Sequence, residues 1–363
     1  MFYRTAPNIS KAKSFQRRGL KEIPAIFSSV EEEYEAIRHG VGICDLSFVT
    51  FLKISGENAL SFLQKLTTKD LDFLMEGQTS TCLLLKEDGS FVGEVIVFVM
   101  ADHYLLLVWP EYKEQVVSHL ESHQSASEEV VIEEVDNLHT FLLEGSYSWQ
   151  LVQDIISFPI EVLPYKNFSP FNYEGRNLNI ARLGYTAEYG YIIFGQKEDM
   201  DVIWKVIFDL PLAREKDQVR QIGIEALDIC RLEVRFPDLT KELGDSHSIL
   251  ESGINWLIDL NKEDFLGKAA LLEQFKAGID RQLVCFVSEE AIEVNEKIVI
   301  DGEKIGHIQH VLYSPGKDAY IGVAYVSKLY AASGITYHLE SNKVIYSVSS
   351  PIVVAKSLSI RIG

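Results

Sequence analysis

The sequence predicts an α+β protein that ends in a small, separate β-barrel or sandwich. Three observations lead there. An Asp-Gly hairpin is followed by a third strand and then a helix, the order expected of an antiparallel sheet with helices on one face. From Gln282 onward, short β-rich runs alternate with turn signals, the texture of a small barrel or sandwich. A chain of 363 residues also exceeds one ordinary core, so two or three domains are expected.

Each element has its own signal. Val30 to Arg38 suits a helix, with Glu31, Glu32 and Glu33 in its first turn, and Gly40 and Gly42 break it. Cys44 to Ile54 reads as a strand or strand pair. Asn58 to Leu66 is a short amphipathic helix with Leu60, Phe62, Leu63 and Leu66 as core positions. Thr79 to Lys86 and Ser90 to Met100 are hairpin strands around Asp88-Gly89. Tyr104 to Trp109 is the third strand, and Glu111 to Ser122 the helix after it. Ser125 to Glu134 reads as a loop leading into a strand. Further strands are expected at Leu138 to Leu143, Leu178 to Leu183 and Tyr191 to Phe194, with helices at Trp149 to Ile156, Met200 to Phe208 and Ile222 to Val234. Beyond them, Ile298 to Ile300 and Lys304 to Gly306 flank a second Asp-Gly turn, and Ile321 to Val326 and Val344 to Val354 add strands.

Composition narrows the function. Hydrophobic residues make up 47% and charged residues 24%, as in a globular protein rather than a disordered one. No apolar run is long enough to span a bilayer, and Met1 to Ser14 lacks the apolar core of a secretory signal. The net charge of −19 argues against nucleic-acid binding, which needs cations to meet phosphate. The four cysteines, Cys44, Cys82, Cys230 and Cys285, are far apart and form no Cys-x-x-Cys pair. They indicate neither a zinc site nor a disulfide framework, so a reducing cytoplasm is the expected location. His307 and His310, three apart in a strand, point to opposite faces and make no metal pair, so no metal site is expected. Gly40-Val41-Gly42 follows a helix and lacks the third glycine of a dinucleotide fingerprint.

Three charged residues stand out. Glu94 lies in a strand with two apolar faces, Val92, Ile96 and Phe98 on its own side and Phe91, Val95, Val97 and Val99 on the other. A carboxylate buried there has a raised pKa unless a cation or donor compensates, which marks either a functional acid or a structural ion pair. Glu188 sits in the turn Gly184-Tyr185-Thr186-Ala187-Glu188-Tyr189-Gly190-Tyr191. It is either a solvated turn glutamate or, among tyrosines, a grip on a flat nitrogen-rich ligand. Arg231 offers a rigid fork to a ligand carboxylate, or an internal pair to Asp228 or Glu233. Lys11, Lys13, Arg17, Arg18 and Lys21 form the local basic cluster, which reads either as a solvated arm or as a docking patch.

In order and spacing, these segments resemble the glycine cleavage system T-protein family, the folate-dependent aminomethyltransferases. The similarity runs from about Arg38 to the C-terminus. It is carried by Arg38-His39-Gly40-Val41-Gly42-Ile43-Cys44-Asp45-Leu46-Ser47, by Gly56 to Asp70, by Gly184 to Gly190, by Ala226 to Glu233, and by Ser314-Pro315. The resemblance implies a three-domain cloverleaf of two α+β domains and a C-terminal β-barrel around a folate cavity. Residues 1–47 with 137–240 would form a discontinuous folate-binding domain, 48–136 an inserted domain carrying Glu94, and 275–363 the barrel. It implies tetrahydrofolate as one-carbon acceptor and a lipoylated carrier protein as donor, with ammonia released. Glu94 would be the catalytic strand acid. Glu188 and Arg231 would bind the pterin, with Tyr185, Tyr191 and Val49 beside it.

Four positions depart from the family pattern: Glu94 for its aspartate, Ala187 for its glycine, Phe48-Val49 in place of its methionine, and Leu250 for its proline before Glu251, Gly253 and Trp256. Two other activities share the fold: a folate-binding accessory protein without turnover, and a folate-dependent demethylase of a small methylated donor. The accessory relatives' Lys-Gly-Cys-Tyr-x-Gly-Gln-Glu signature is absent, the comparable run being Asn261 to Lys268.

Overall fold

The computed structural model describes residues 9–125, 129–215, 219–244 and 248–362. Most of the Met1 to Ser14 segment and residues 126–128 of the Ser125 to Glu134 loop therefore lie outside the described residues.

Three sheets organise the chain. A six-stranded sheet runs in the order Phe168–Tyr173, Arg176–Ala181, Gly190–Gln196, Leu138–Glu144, Val41–Asp45, Val219–Gln221; only the last pair is parallel. A five-stranded antiparallel sheet runs Thr79–Leu85, Phe91–Val99, Tyr104–Val108, Thr50–Ser55, Val131–Glu134. All its strands come from one stretch of chain between two strands of the six-stranded sheet. The six strands from Arg281–Ser288 to Val344–Val348 close into a barrel.

Local chemistry explains the elements. Ser29 caps the helix Val30–His39 by accepting from the Glu32 amide, while acids in its first turn and Arg38 and His39 in its last suit the helix dipole. Glu33 is not solvated like its neighbours. It is fully buried and accepts from the amides of Phe27, Ser28 and Gly223. In the first Asp-Gly hairpin the Asp88 carboxylate accepts from the Ser90 amide at 2.9 Å.

The strand Phe91–Val99 is buried from Val92 to Val99, as its two apolar faces require. Gly93 faces the helix Lys113–His123, where an added Cβ would come within 2.6 Å of Val116. The opposite face, with Glu94 and Phe98, looks to the six-stranded sheet. The Phe98 ring meets Phe194 at 5.2 Å and Phe168 at 5.5 Å. Glu94 therefore points into the seam between the sheets.

Several expectations change. Cys44 to Ile54 is neither one strand nor a pair. The Asp45 carboxylate accepts the Ser47 amide, the chain turns at Leu46 to Val49, and the flanking strands join different sheets. The strand Phe168–Tyr173, hidden in the sequence by Pro170, lies at a sheet edge, where a missing N–H is tolerated. The helix Lys268–Ala277 and the N-terminal hairpin Ser14–Arg18/Lys21–Ile26 were also not anticipated. The hairpin turns one member of the basic cluster inward, while Lys11, Lys13 and Arg17 stay exposed. Arg18 is only 4% exposed, Lys13 and Lys21 donate to the carbonyls of Ser28 and Phe48, and Arg17 bonds the Gly19 carbonyl.

Candidate active site

Glu94 and Arg231 come together in the seam. Arg231 rises from the helix Ile224–Glu233 and is 6% exposed. Neither internal partner open to it in the sequence is used. Asp228 pairs with Arg18 at 2.5 Å and Lys241 at 2.9 Å, and Glu233 pairs with Arg38 at 2.6 Å. The Arg231 guanidinium instead lies over the rings of Tyr185 (5.1 Å), Trp109 (5.5 Å) and Phe236 (5.7 Å). It donates to the Pro237 carbonyl at 2.7 Å, and its Nε is buried without a partner.

Glu94 is 4% exposed, and among the described residues no group hydrogen-bonds its carboxylate. Burial pushes its pKa up. Arg231 pulls it back, while Asp238, Glu111 and Glu242 push the same way as burial, and the result is about 7. An acid balanced there exchanges a proton at neutral pH. Tyr185, 2% exposed, has its phenol pushed above the ordinary range mainly by burial, so it remains a neutral wall. Val49 is buried in the same core cluster, next to Phe48, whose ring packs on Trp109 at 5.7 Å.

Two expected site residues stand elsewhere. Tyr191 belongs to the core on the far side of the six-stranded sheet, with Val41, Ile43 and Phe141. Strand alternation requires it, because Ile192 and Phe194 take the side facing Glu94's sheet. Glu188 is not solvated, and its carboxylate is fully engaged. One oxygen accepts from Arg38 (3.1 Å) and the Lys356 amide (3.0 Å), the other from the Ser357 amide (2.9 Å) and hydroxyl (2.5 Å). Its carboxylate ties the C-terminal segment to the turn.

That turn is built by close approach. A Cβ on Gly190 would lie 2.3 Å from the Gly184 Cα, so both positions demand glycine. Fully buried Glu144 accepts from the Tyr185 amide (2.5 Å) and the Thr186 hydroxyl (2.6 Å), and burial raises its pKa to about 8. Ala187 has φ +61°, where a Cβ is strained. Ala187→Gly is expected to stabilise the protein by about 0.5–1 kcal/mol in urea unfolding; a loss of stability would show that the turn tolerates the methyl.

The sequence reading missed a hub at Arg38. Its guanidinium bonds Glu233 (3.1 and 2.6 Å), Glu188 (3.1 Å) and the carbonyls of Thr186 and Cys230. Glu233 also accepts from the hydroxyls of Tyr34 (3.0 Å) and Ser314 (2.5 Å). Arg38, Glu233 and Ser314 all fall in segments that carry the family resemblance. That was the available signal, but no local pattern linked residues so distant in the chain.

Two cavities share no lining residue, and neither is lined by Glu94 or Arg231. One of about 380 Å³ is lined by Tyr165, Arg182, Gly184, Glu188 and Phe236 among others. The other, about 690 Å³, includes Val92, Glu111, Tyr112 and Leu239.

Residues 6–262 match the family model of the GCVT N-terminal domain, and residues 281–353 that of the glycine cleavage T-protein C-terminal barrel domain. The chain belongs to the glycine cleavage T-protein family. Among similar curated proteins, an aminomethyltransferase of Flavobacterium psychrophilum is 29% identical over 334 residues, covering 90% of this chain and 91% of its own. One of a Geobacillus species is 30% identical over 312 residues, covering 84% of each. The glycine cleavage system aminomethyltransferase T of Bartonella henselae shares the fold of this T-protein family member. Its TM-score is 0.84 at 20% identity, over 95% of this chain and 96% of that one. Among the described residues no helix is long and apolar enough to cross a membrane, and no group of His, Cys, Asp and Glu is placed to hold a metal ion.

Proposed function

We propose that this T-protein family member transfers a one-carbon unit from an aminomethylated lipoyl carrier to tetrahydrofolate, forming methylene-tetrahydrofolate and ammonia. The supporting observation is Glu94: a buried acid with pKa about 7, without a hydrogen-bond partner among the described residues, beside an arginine caged by aromatic rings. The site suits a reduced pterin. The unpartnered Arg231 Nε supplies a donor, Glu94 an acceptor, and Trp109, Tyr185 and Phe236 apolar ring walls.

Tetrahydrofolate supplies two nucleophilic nitrogens whose protons must leave, one to the departing ammonia and one to the carrier's sulfur. Glu94 would take up and pass on such a proton; it is ionised often enough near pH 7 to act as a base and protonated often enough to act as an acid. Arg231 would hold the ring edge, and the aromatic walls would exclude water. On this reading folate and the carrier arm would enter from different sides, through the two separate cavities. Arg182 and Tyr165 in the smaller one offer a cation and a ring to folate's carboxylates and aromatic spacer. Glu188 would act indirectly, by holding the turn that carries Tyr185.

Tryptophan fluorescence during titration with tetrahydrofolate tests this, since Trp109 forms a wall. Saturable quenching is expected, weakened about tenfold or more in Arg231→Ala. Absence of saturable binding by the unsubstituted protein would overturn the proposal. Glu94→Asp, which shortens the reach by about 1 Å, is expected to change turnover by on the order of tenfold to a hundredfold with little change in folate affinity. Equal turnover would show that the reach of this acid is immaterial.

A further inference from the structure

Beside Glu94 lies a buried charge cluster that the transfer reaction does not by itself explain. Arg18, at the end of the first strand of the N-terminal hairpin, donates to Asp228 (2.5 Å), Asp238 (2.6 Å) and Glu111 (3.1 Å). These acids come from three places: the Arg231 helix, the segment after it, and the turn before the helix Lys113–His123. Lys241 adds a second cation on Asp228 at 2.9 Å. Arg231 is the third cation. Arg18, Arg231 and Lys241 thus balance Glu111, Asp228 and Asp238, and Glu94 is the acid left over.

Charged and titratable groups from four parts of the chain bear on Glu94. Arg231 faces it from its helix, Asp238 and Glu242 from the next segment, Glu111 and Tyr112 from the turn at 109–112, and Tyr185 from the glycine turn. Glu242 is already paired with Arg235 at 2.5 Å. Asp238 and Glu111 are the acids whose unneutralised charge would oppose ionisation of Glu94, and both are held by Arg18.

We propose that Arg18 is a positioning residue for the transfer: by neutralising Asp238 and Glu111, it leaves Glu94 as the acid of the cluster free to gain and lose a proton. The inference rests on the role given to Glu94 above, and its consequence is visible without any substrate. Removing the cation exposes two negative charges to Glu94 and makes its ionisation harder; removing one of those acids makes it easier.

The test is the carboxyl carbon resonance of Glu94, assigned by comparison with Glu94→Gln and followed by 13C NMR from pH 5 to 9 in the full chain without ligand. In Arg18→Gln the midpoint is expected to rise by on the order of one pH unit. In Asp238→Asn it is expected to fall, and Arg18→Lys should return it most of the way to the unsubstituted value. Shifts of opposite sign cannot come from general loosening, which moves any buried acid toward its solution value. If Arg18→Gln does not fold, the double variant Arg18→Gln/Asp228→Asn, which removes one orphaned charge and leaves Asp238 and Glu111 without their cation, is titrated instead, and its midpoint is again expected to rise. A midpoint within about 0.2 units of the unsubstituted protein, or below it, in the folded variant that lacks the Arg18 cation would overturn the proposal. Because the readout needs no folate, failure to bind tetrahydrofolate would count against the transferase reading and leave this result standing.

Discussion

Glu94→Gln is expected to lower turnover by a factor of about 10²–10⁴ while making the folded protein more stable at pH 8. Loss of rate follows from removing a buried acid that exchanges a proton near neutrality. The gain in stability follows from linkage. Glu94 has its pKa raised from 4.5 in the open chain to about 7 in the fold. Between those values the folded form keeps a proton that the unfolded form has lost, so stability declines as pH rises. The contribution is full below pH 4.5 and gone above about 7, a span worth about 3 kcal/mol. Glutamine carries no such dependence. Urea unfolding of both proteins should therefore give similar values at pH 5 and a difference approaching that size at pH 8. A difference independent of pH would mean that Glu94 is not desolvated as the fold places it.

Arg38→Met is expected to be the most damaging single substitution, at about 3–5 kcal/mol. Methionine fills much of the space, so the loss is electrical. Glu233 and Glu188, whose side chains are fully buried, would lose their shared cation, and the carbonyls of Thr186 and Cys230 would lose a donor. The first helix, the Arg231 helix, the glycine turn and the C-terminal segment all meet at this guanidinium, so the variant should unfold cooperatively at lower denaturant. Adding Glu233→Gln should restore part of the loss by removing one orphaned charge. A loss below about 1 kcal/mol would show that water or rearrangement satisfies these acids.

Periodicity showed where the site would be placed but not how it is wired. The two-faced strand around Glu94 was legible because alternation and burial are properties of a few neighbouring residues, and the Asp-Gly hairpin fixed its partner. Family motifs brought Arg231 and Tyr185 to the same wall. Tyr191 was misplaced because a glycine turn next to a strand hides which face each residue takes; pairing Gly190 with Glu144 settles it. The partners of Glu188 are hidden for a different reason. Its four bonds include three to Lys356 and Ser357, and no local pattern reports a contact across so much chain. Arg18 was counted by charge, and only the hairpin turns it inward to Asp228 and Asp238. The sequence thus exposes what each residue must avoid, while long-range pairing decides what it meets.

The proton-transfer role proposed for Glu94 in folate-dependent aminomethyl transfer is read out by the pH dependence of kcat/KM for methylene-tetrahydrofolate formation from an aminomethylated lipoyl carrier. The rate is predicted to fall on the acid side with an apparent pKa of about 7, the value set by burial against Arg231. A rate that holds level from pH 8 down to pH 5.5 would contradict the claim.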